Sequence, residues 1–367
     1  MRIIFSNYDD LKNPYYGGGG AVAVHEVAKR LAARQHTVTV FTGCYPGSTD
    51  EVIDGVHYRR VGFHIFDARI GQLAFQFALP WYVARLEFDV WVESFTPPFS
   101  TALLPLFTKK PVVGLTHLLG GKAMKLKYGL PFDIPERLGM RLYQHVIVLQ
   151  QALKDELRKM APNTKTFIIP NGVDAQVLQQ VPVSKPGYIA FLGRIDFEQK
   201  GLDLLLQAYA KVKNQVSVPL KIAGTGLEGD LQRLKKEIVS LGLSAQVELV
   251  GKLSGQAKLD FLNAADFFVM SSRTENFALV LLEAFGIGLP AVVFNISGVQ
   301  WVPVTAAVKV EPFNVDAYAQ ALVSMAHDSE KRTAMGAAAR DCAAQYSWDT
   351  ISAEYERVLL ETVTGRS

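Results

Sequence analysis

The sequence predicts an α/β protein made of two units, each a parallel sheet covered by helices on both faces. Three observations carry this. Short continuous apolar runs alternate with helix-patterned segments along almost the whole chain, as in strands buried on both faces. The alternation restarts after the turn signal Pro170-Asn171-Gly172. The length of 367 residues and 49% apolar content suit two domains of ordinary size with full cores.

The first series reads as strands at 2–5, 37–41, 90–92, 112–116, 146–149 and 166–169, with a helix over 21–34 opened by the glycine run 17–20. The second reads as strands at 188–192, 220–223, 247–250, 267–270, 291–294 and near 307–310. Helical patterns at 228–241 and 256–264 fill two of its gaps. This places a first domain at 1–169, a Pro-flanked linker at 170–186, a second domain at 187–345 and a last helix within 346–367. Ligands of open parallel sheets bind beyond the carboxyl ends of the strands, so two such sheets are expected to face each other across a binding cleft.

Composition excludes several classes. A net charge of only +3 gives no reason to expect nucleic acid. The first half is net basic and the second net acidic, which fits an anionic partner for the first, a phosphate or a membrane surface, or ordinary scatter of charge. Cys44 and Cys342 form no disulfide framework or metal spacing and fit a reducing compartment. The start MRIIFSNYDD reads as a strand rather than a signal peptide, and no apolar run is long enough to span a bilayer. The uncharged stretch 70–84, interrupted by Gln72, Gln76 and Pro80, reads as a buried or surface-lying helix.

The chemistry concentrates just after predicted strands. In SSRTENFALVLLEAFGIGLP, residues 271–290, Glu275 and Glu283 flank an apolar helix-favouring run. If helical throughout, the eight residue steps from one to the other, with seven residues between, span about 12 Å. Unpaired amides at such a helix start attract anions, so those of Asn276, Phe277 and Ala278 could hold a diphosphate. A buried helix with a charged first turn gives the same pattern. Gly18, Gly19 and Gly20 would let backbone amides approach an anion closely, or form a loop tip. His117 ends an apolar strand, and Lys122, Lys125 and Lys127 follow among apolar residues. They would suit an anionic acceptor, lipid headgroups, or plain solvent. Arg194 and Lys200 flank a strand-to-helix turn and could neutralise a diphosphate leaving group. GTGLEG, with Gly224, Gly226 and Gly229, matches the dinucleotide spacing, with Glu248 about 20 residues on. It follows the second strand of its domain rather than the first, so a glycine-lined nucleotide pocket without a nicotinamide is the alternative. No P-loop, nucleophile-elbow or zincin motif occurs.

Taken together, these motifs resemble glycosyltransferase family 4. The glycine loop, GlyArg…LysGly at 193–201, AGTG at 223–226, VGKL at 250–253, the E-x7-E of Glu275 and Glu283, and GLP at 288–290 occur in family order. PNGVD at 170–174 looks like the interdomain segment, and YSW at 346–348 like the start of the last helix, which crosses back to the first domain. The resemblance implies the GT-B architecture, two Rossmann-like domains, and a retaining, metal-independent transfer of a hexose from a nucleotide sugar. No cofactor is implied beyond that co-substrate.

By the same resemblance Glu275 would hold donor-sugar hydroxyls and Glu283 the ribose. Arg194 and Lys200 would bind the diphosphate, and Asn276, Phe277, Ala278 and Leu279 would touch sugar and phosphate. Gly193, Gly224 and Gly226 would border the nucleoside, with Lys252 and Leu253 near the base. His117 would face the transferred sugar, and Gly18–Gly20 the diphosphate and acceptor. UDP-glucose is the expected donor. A glycan or lipid-linked acceptor in polysaccharide or envelope glycan synthesis is expected, with a cytoplasmic enzyme in peripheral contact with the inner membrane face. A sugar-nucleotide epimerase and a silent binding protein are the alternatives. The chain departs from the family pattern in two places. Ser297-Gly298-Val299-Gln300 lacks the following acid, and Asn276-Phe277-Ala278 replaces a glycine-containing triplet.

Overall fold

Apolar runs with no alternating polar positions can satisfy both faces only inside a sheet covered on both sides, and that is how they are used. In the computed structural model, residues 1–13, 18–63, 68–96, 100–117, 119–180 and 187–365 are described, and the side chains of 68, 69, 123, 127 and 128 are not. Gly17, the side chain of Lys127 and part of the expected linker, 181–186, therefore lie outside the described residues. The described chain divides into two compact units, Met1–Asn171 with Trp348–Ser367, and Gly172–Ser347.

The first unit is an eight-stranded sheet. Its strands are β1 (Arg2–Ser6), β2 (Thr37–Gly43), β3 (Glu51–Ile53), β4 (Val56–Val61), β5 (Val90–Ser94), β6 (Val112–Thr116), β7 (His145–Val148) and β8 (Lys165–Ile168). They lie in the order β3-β4-β2-β1-β5-β6-β7-β8. All pairings are parallel except β3 with β4. β3 and β4 were not expected. They form a hairpin at the sheet edge, turned by Asp54 and Gly55, both at positive φ. Helices α1 (Gly19–Ala33), α2 (Ala68–Arg85), α3 (Gly121–Tyr128), α4 (Asp133–Met140) and α5 (Gln151–Met160) complete the crossovers. α2 covers the uncharged stretch and keeps Pro80 inside it.

The C-terminal helix, Trp348–Thr364, also belongs to this unit. It buries Trp348, Ile351, Tyr355, Val358 and Leu359, each such side chain contributing about 1.5–3 kcal/mol. Arg30 of α1 pairs with Asp349 at 2.5 Å, and Arg34 and His36 reach Glu356 at 3.0 and 2.7 Å.

The second unit is a six-stranded, wholly parallel sheet of β9 (Ile189–Leu192), β10 (Leu220–Ala223), β11 (Val247–Gly251), β12 (Phe267–Met270), β13 (Ala291–Phe294) and β14 (Ala307–Val310). Their order is β11-β10-β9-β12-β13-β14. The helices are α6 (Ala175–Leu178), α7 (Phe197–Lys200), α8 (Leu202–Val212), α9 (Glu228–Ser240), α10 (Gly255–Asn263), α11 (Leu279–Ile287), α12 (Val315–His327) and α13 (Ser329–Ala344). α11 corrects one expectation. It starts at Leu279, so Glu275, Asn276, Phe277 and Ala278 precede it, and the two glutamates are not joined by one continuous helix. A second correction concerns Lys200. It closes the one-turn helix α7 rather than opening the next one, and Gly201 turns the chain into α8.

No helix among the described residues is long and apolar enough to cross a membrane.

Candidate functional site

In the second unit the loops after β9 and β12 bring two of the expected residues into direct contact. Asp196 caps α7 by accepting a hydrogen bond from the Gln199 N–H, which winds the chain up to Lys200. Lys200 Nζ then lies 2.5 Å from Glu275 Oε1. Ser272 donates to the same oxygen at 2.7 Å, and Ser271 donates to the Lys200 carbonyl at 2.9 Å. Both side chains of the ion pair are largely shielded from water, at 20% and 7% exposure, so the attraction is little screened. Arg273 secures the loop from behind through a two-point contact with Asp203, at 2.9 and 2.7 Å.

Arg194 stands apart from this pair. It is 62% exposed, held by Asp196 at 3.2 Å and by the side-chain oxygen of Gln199 at 2.5 Å. Its guanidinium is oriented over the start of α7 and open to a ligand.

The triplet before α11 presents backbone rather than side chains. The N–H groups of Asn276, Phe277 and Ala278 donate no hydrogen bond among the described residues. The Phe277 ring is turned into the core, stacked on Trp301 at 4.8 Å and near Tyr346 at 5.9 Å. Gly298, in the departing segment 297–300, fits under the Glu275 carbonyl so closely that a Cβ there would lie 2.1 Å from its oxygen. The segment therefore packs on the backbone of Glu275 without contributing a carboxylate.

Glu283 sits one turn into α11 and is paired with Lys258 of α10 at 2.6 Å. Sequence reasoning missed Lys258, because no spacing rule links it to residue 283. Lys252 is exposed and Leu253 half-buried in the loop after β11.

The glycines of GTGLEG have a structural explanation. The Gly224 N–H donates to the Gly251 carbonyl at 2.7 Å, and the Gly193 N–H to that of Ala223 at 3.0 Å. A Cβ on Gly224 would lie 1.8 Å from the Gly193 oxygen, and one on Gly226 2.1 Å from that of Ile195. Gly229 has open space around it, and Glu248 pairs with Lys221 at 2.7 Å. The third glycine and the acid of a dinucleotide fingerprint thus have no such role here.

In the first unit, the loop after β1 and the end of β6 meet at the glycine run. A Cβ on Gly20 would lie 3.6 Å from Asp9 Oδ2 and 3.9 Å from His117 Nε2. His117 Nε2 is sealed from solvent and has no hydrogen-bond partner among the described residues, and burial pushes the imidazole down to about 4, so the ring is neutral at pH 7. Beyond it, Glu136 of α4 accepts from the Gly121 N–H at 2.7 Å and from Ser100 at 2.6 Å, fixing the start of α3. Lys122 and Lys125 are paired with Glu156 and Asp133 at 3.0 and 3.1 Å. Asp9 escaped the sequence reading, which stopped at the glycines.

Two family models match the chain in succession. The one described as Glycosyltransferase Family 4 matches residues 17–177, and the one described as Glycosyl transferases group 1 matches residues 173–341. The chain belongs to glycosyltransferase family 4.

Among curated relatives, this glycosyltransferase is 26% identical to the phosphatidyl-myo-inositol mannosyltransferase of Mycolicibacterium smegmatis, over 95% of this chain and 91% of that one. It is also 26% identical to the glycogen synthase of Mycobacterium tuberculosis, over 100% and 96% of the two chains. Among solved structures it is similar to sucrose-phosphate synthase from Thermosynechococcus elongatus, with a TM-score of 0.85 at 19% identity over the full length of both. Anabaena HepE in complex with UDP-glucose gives a TM-score of 0.78 at 18% identity, covering 98% of this chain and 100% of that one. These likenesses show the GT-B fold, and the chain is a transferase of glycosyl groups.

For such an enzyme, the second unit offers a cation and a carboxylate in contact, an exposed guanidinium, and a row of unbonded amides. That set can bind a diphosphate and the hydroxyls beside it.

Proposed function

We propose that the protein transfers a hexose, with retention of configuration and without a metal, from UDP-glucose to a glycan or lipid-linked acceptor. The observation that carries this reading is the Lys200–Glu275 pair beside the unbonded amides of residues 276–278. A diphosphate brings two negative charges to Lys200, Arg194 and those amides, and Glu275 turns from the lysine to the sugar hydroxyls. Glu283 takes the ribose hydroxyls. Gly193, Gly224 and Gly226 border the nucleoside, Lys252 and Leu253 lie near the base, and Leu279 lies near the phosphate.

In the transfer step the bond between C1 and the phosphate oxygen breaks, and an acceptor hydroxyl bonds to C1 on the same face. The hydroxyl proton passes to the departing phosphate. Preorganised cations and amides stabilise the charge that develops on the leaving group. Supporting the nucleotide sugar are the solved structures of similar fold of Anabaena HepE in complex with UDP and with UDP-glucose. The curated relatives include both a mannosyltransferase and a glycogen synthase, which is why the donor is tested directly.

The test is calorimetry without added metal against UDP, GDP, ADP, UDP-glucose, UDP-galactose, UDP-N-acetylglucosamine and NAD. It is followed by analysis of the anomeric product in EDTA. Selective binding of UDP and UDP-glucose with an α-linked product supports the reading; binding of NAD alone, an inverted product or a requirement for added metal removes it.

The proposal extends to a cytoplasmic enzyme in peripheral contact with a membrane through its first unit. Leu126, Leu130, Ile134 and Leu138 are exposed on or between α3 and α4, and Phe77 and Trp81 on α2. Because Lys122 and Lys125 already have acidic partners, the apolar side chains would carry more of the binding than the charge. Co-sedimentation with liposomes that persists in high salt fits this; no sedimentation at any salt opposes it.

A further inference from the structure

The loops that carry the chain's two departures from the family pattern, at 276–278 and 297–300, lie against each other. They follow β12 and β13, which pair in parallel from Phe268 with Ala291 to Met270 with Val293 and so send both loops off the same end of the sheet. The contact is backbone to backbone at Glu275, where Gly298 leaves no space for a Cβ. It is ring to ring at Phe277, which stacks on Trp301 at 4.8 Å with the two planes 16° apart. Such a stack fixes the orientation of a ring as well as burying it, which an aliphatic side chain does not.

Trp301 is fixed on its own account. Its indole N–H donates to the Gly298 carbonyl at 3.0 Å, and its ring meets Phe285 of α11 at 5.9 Å and Tyr346 at 5.5 Å, both edge to face. The flanking Val299 and Val302 are buried, and the Gln300 side chain ties the turn to Asn295 and the Ile296 carbonyl at 3.1 and 3.2 Å. The triplet, by contrast, is held at its ends. Lys200 and Ser272 hold Glu275, and the Ala278 carbonyl accepts from the Leu282 N–H of α11 at 3.1 Å. Between those ends the N–H groups of Asn276, Phe277 and Ala278 donate to nothing among the described residues, and the buried Phe277 ring supplies the grip.

We propose that Trp301 is a positioning residue for the donor: by stacking on Phe277 it holds the backbone of 276–278 in the arrangement that leaves its three amides unengaged for a diphosphate. Trp301 acts through Phe277 and supplies no group to the ligand. The inference rests on the donor reading above and adds the residue on which the row of amides depends. It also accounts for the two departures as one unit. A ring at 277 needs a flat partner, the indole at 301 is that partner, and Gly298 lets the second loop come close enough to offer it.

The experiment uses the full chain as wild type, Trp301→Phe, Trp301→Leu, Phe277→Leu and the double variant with both leucines. UDP affinity is measured by calorimetry and that of uridine, which lacks the diphosphate, by saturation-transfer NMR. Trp301→Leu and Phe277→Leu are each expected to weaken UDP roughly tenfold, the scale of one lost hydrogen bond to a charged group. The double variant should also lose only about tenfold, because both changes remove the same stack. Trp301→Phe keeps a flat ring and should stay within about threefold of wild type, so it carries the test if Trp301→Leu does not fold. Uridine should bind every variant as it binds wild type. Hydrogen exchange without ligand should be about tenfold faster at the Leu282 N–H in Trp301→Leu and unchanged in β9 and β12. Unchanged UDP binding in Trp301→Leu, equal losses of UDP and uridine, or a loss of about 100-fold in the double variant, as for independent sites, overturns the inference. If UDP and UDP-glucose fail to bind the wild type, the donor reading falls, and hydrogen exchange alone decides whether Trp301 holds the triplet: faster exchange supports it and unchanged exchange removes it.

Discussion

Lys200 Nζ and Glu275 Oε1 are 2.5 Å apart, although one residue ends a one-turn helix after β9 and the other follows β12. Each supplies the other's counter-charge in a shielded site. Under the proposed function a diphosphate must take Lys200 from Glu275, so the two side chains should affect nucleotide binding with opposite sign. Lys200→Ala is expected to weaken UDP at least tenfold. Glu275→Gln leaves the ammonium unengaged and should bind UDP as tightly as wild type or up to about tenfold tighter, within the range of one charge-assisted contact. Its transfer rate should still fall by about 100-fold or more, the cost of removing a group that acts in the transition state. Calorimetry and initial rates on the two variants check this; equal weakening of UDP by both would break the assignment.

Glu283 has a comparable partner in Lys258, at 2.6 Å and about a quarter exposed. The pair should add only about 0.5–1 kcal/mol to stability. Its expected use is orientation of Glu283 toward ribose hydroxyls. Wild type should prefer UDP over 2′-deoxy-UDP, Lys258→Met should lose part of that preference, and Glu283→Gln nearly all of it. An undiminished preference in Glu283→Gln would remove the carboxylate from the ribose.

Most strands were legible because parallel strands buried on both faces write themselves as unbroken apolar runs. Residues 112–116, 220–223, 267–270, 291–294 and 307–310 form strands with the bounds the pattern predicts. The hairpin β3–β4 was not legible from apolar runs, because an edge hairpin is half polar, as in HisTyrArgArg at 57–60. Its Asp54-Gly55 turn was the available signal. At the site, spacing identified Glu275 and Glu283, but not what they touch. Lys258 and Asp9 depend on which helix and loop pack against a given residue, and that is fixed by tertiary structure rather than by any local pattern.

The glycines of GTGLEG give a test of structure against motif. Gly224 has φ +151° and no room for a Cβ, so Gly224→Ala should destabilise the second unit by about 3 kcal/mol or more. Gly229 lies in the first turn of α9 with open space, so Gly229→Ala should be neutral or stabilise by up to about 1 kcal/mol. Urea denaturation measures both. A large loss from Gly229→Ala would mean that the third glycine is needed after all.

Asp9 and His117 are shifted in directions that oppose each other in stability. The Asp9 carboxyl is raised from 3.8 to about 6, so the folded state holds its proton over a range where the unfolded chain has released it. That contribution falls as pH rises from about 4 to about 6. The His117 imidazole is lowered from 6.5 to about 4, so the unfolded chain binds the extra proton, and its contribution falls as pH drops through the same range. In the wild type the two slopes largely cancel. Asp9→Asn should therefore be more stable than wild type at pH 7.5, by about 1–2 kcal/mol if part of the shift is realised, and should lose stability more steeply on acidification. His117→Gln should flatten or reverse the acid slope. Chemical denaturation of both variants across pH 4–7.5 reads the difference, and parallel curves for wild type and Asp9→Asn would show that the carboxylate is solvated in the folded protein. A stability gain on removing Asp9 would mark a carboxylate that the fold holds at a cost to its own stability.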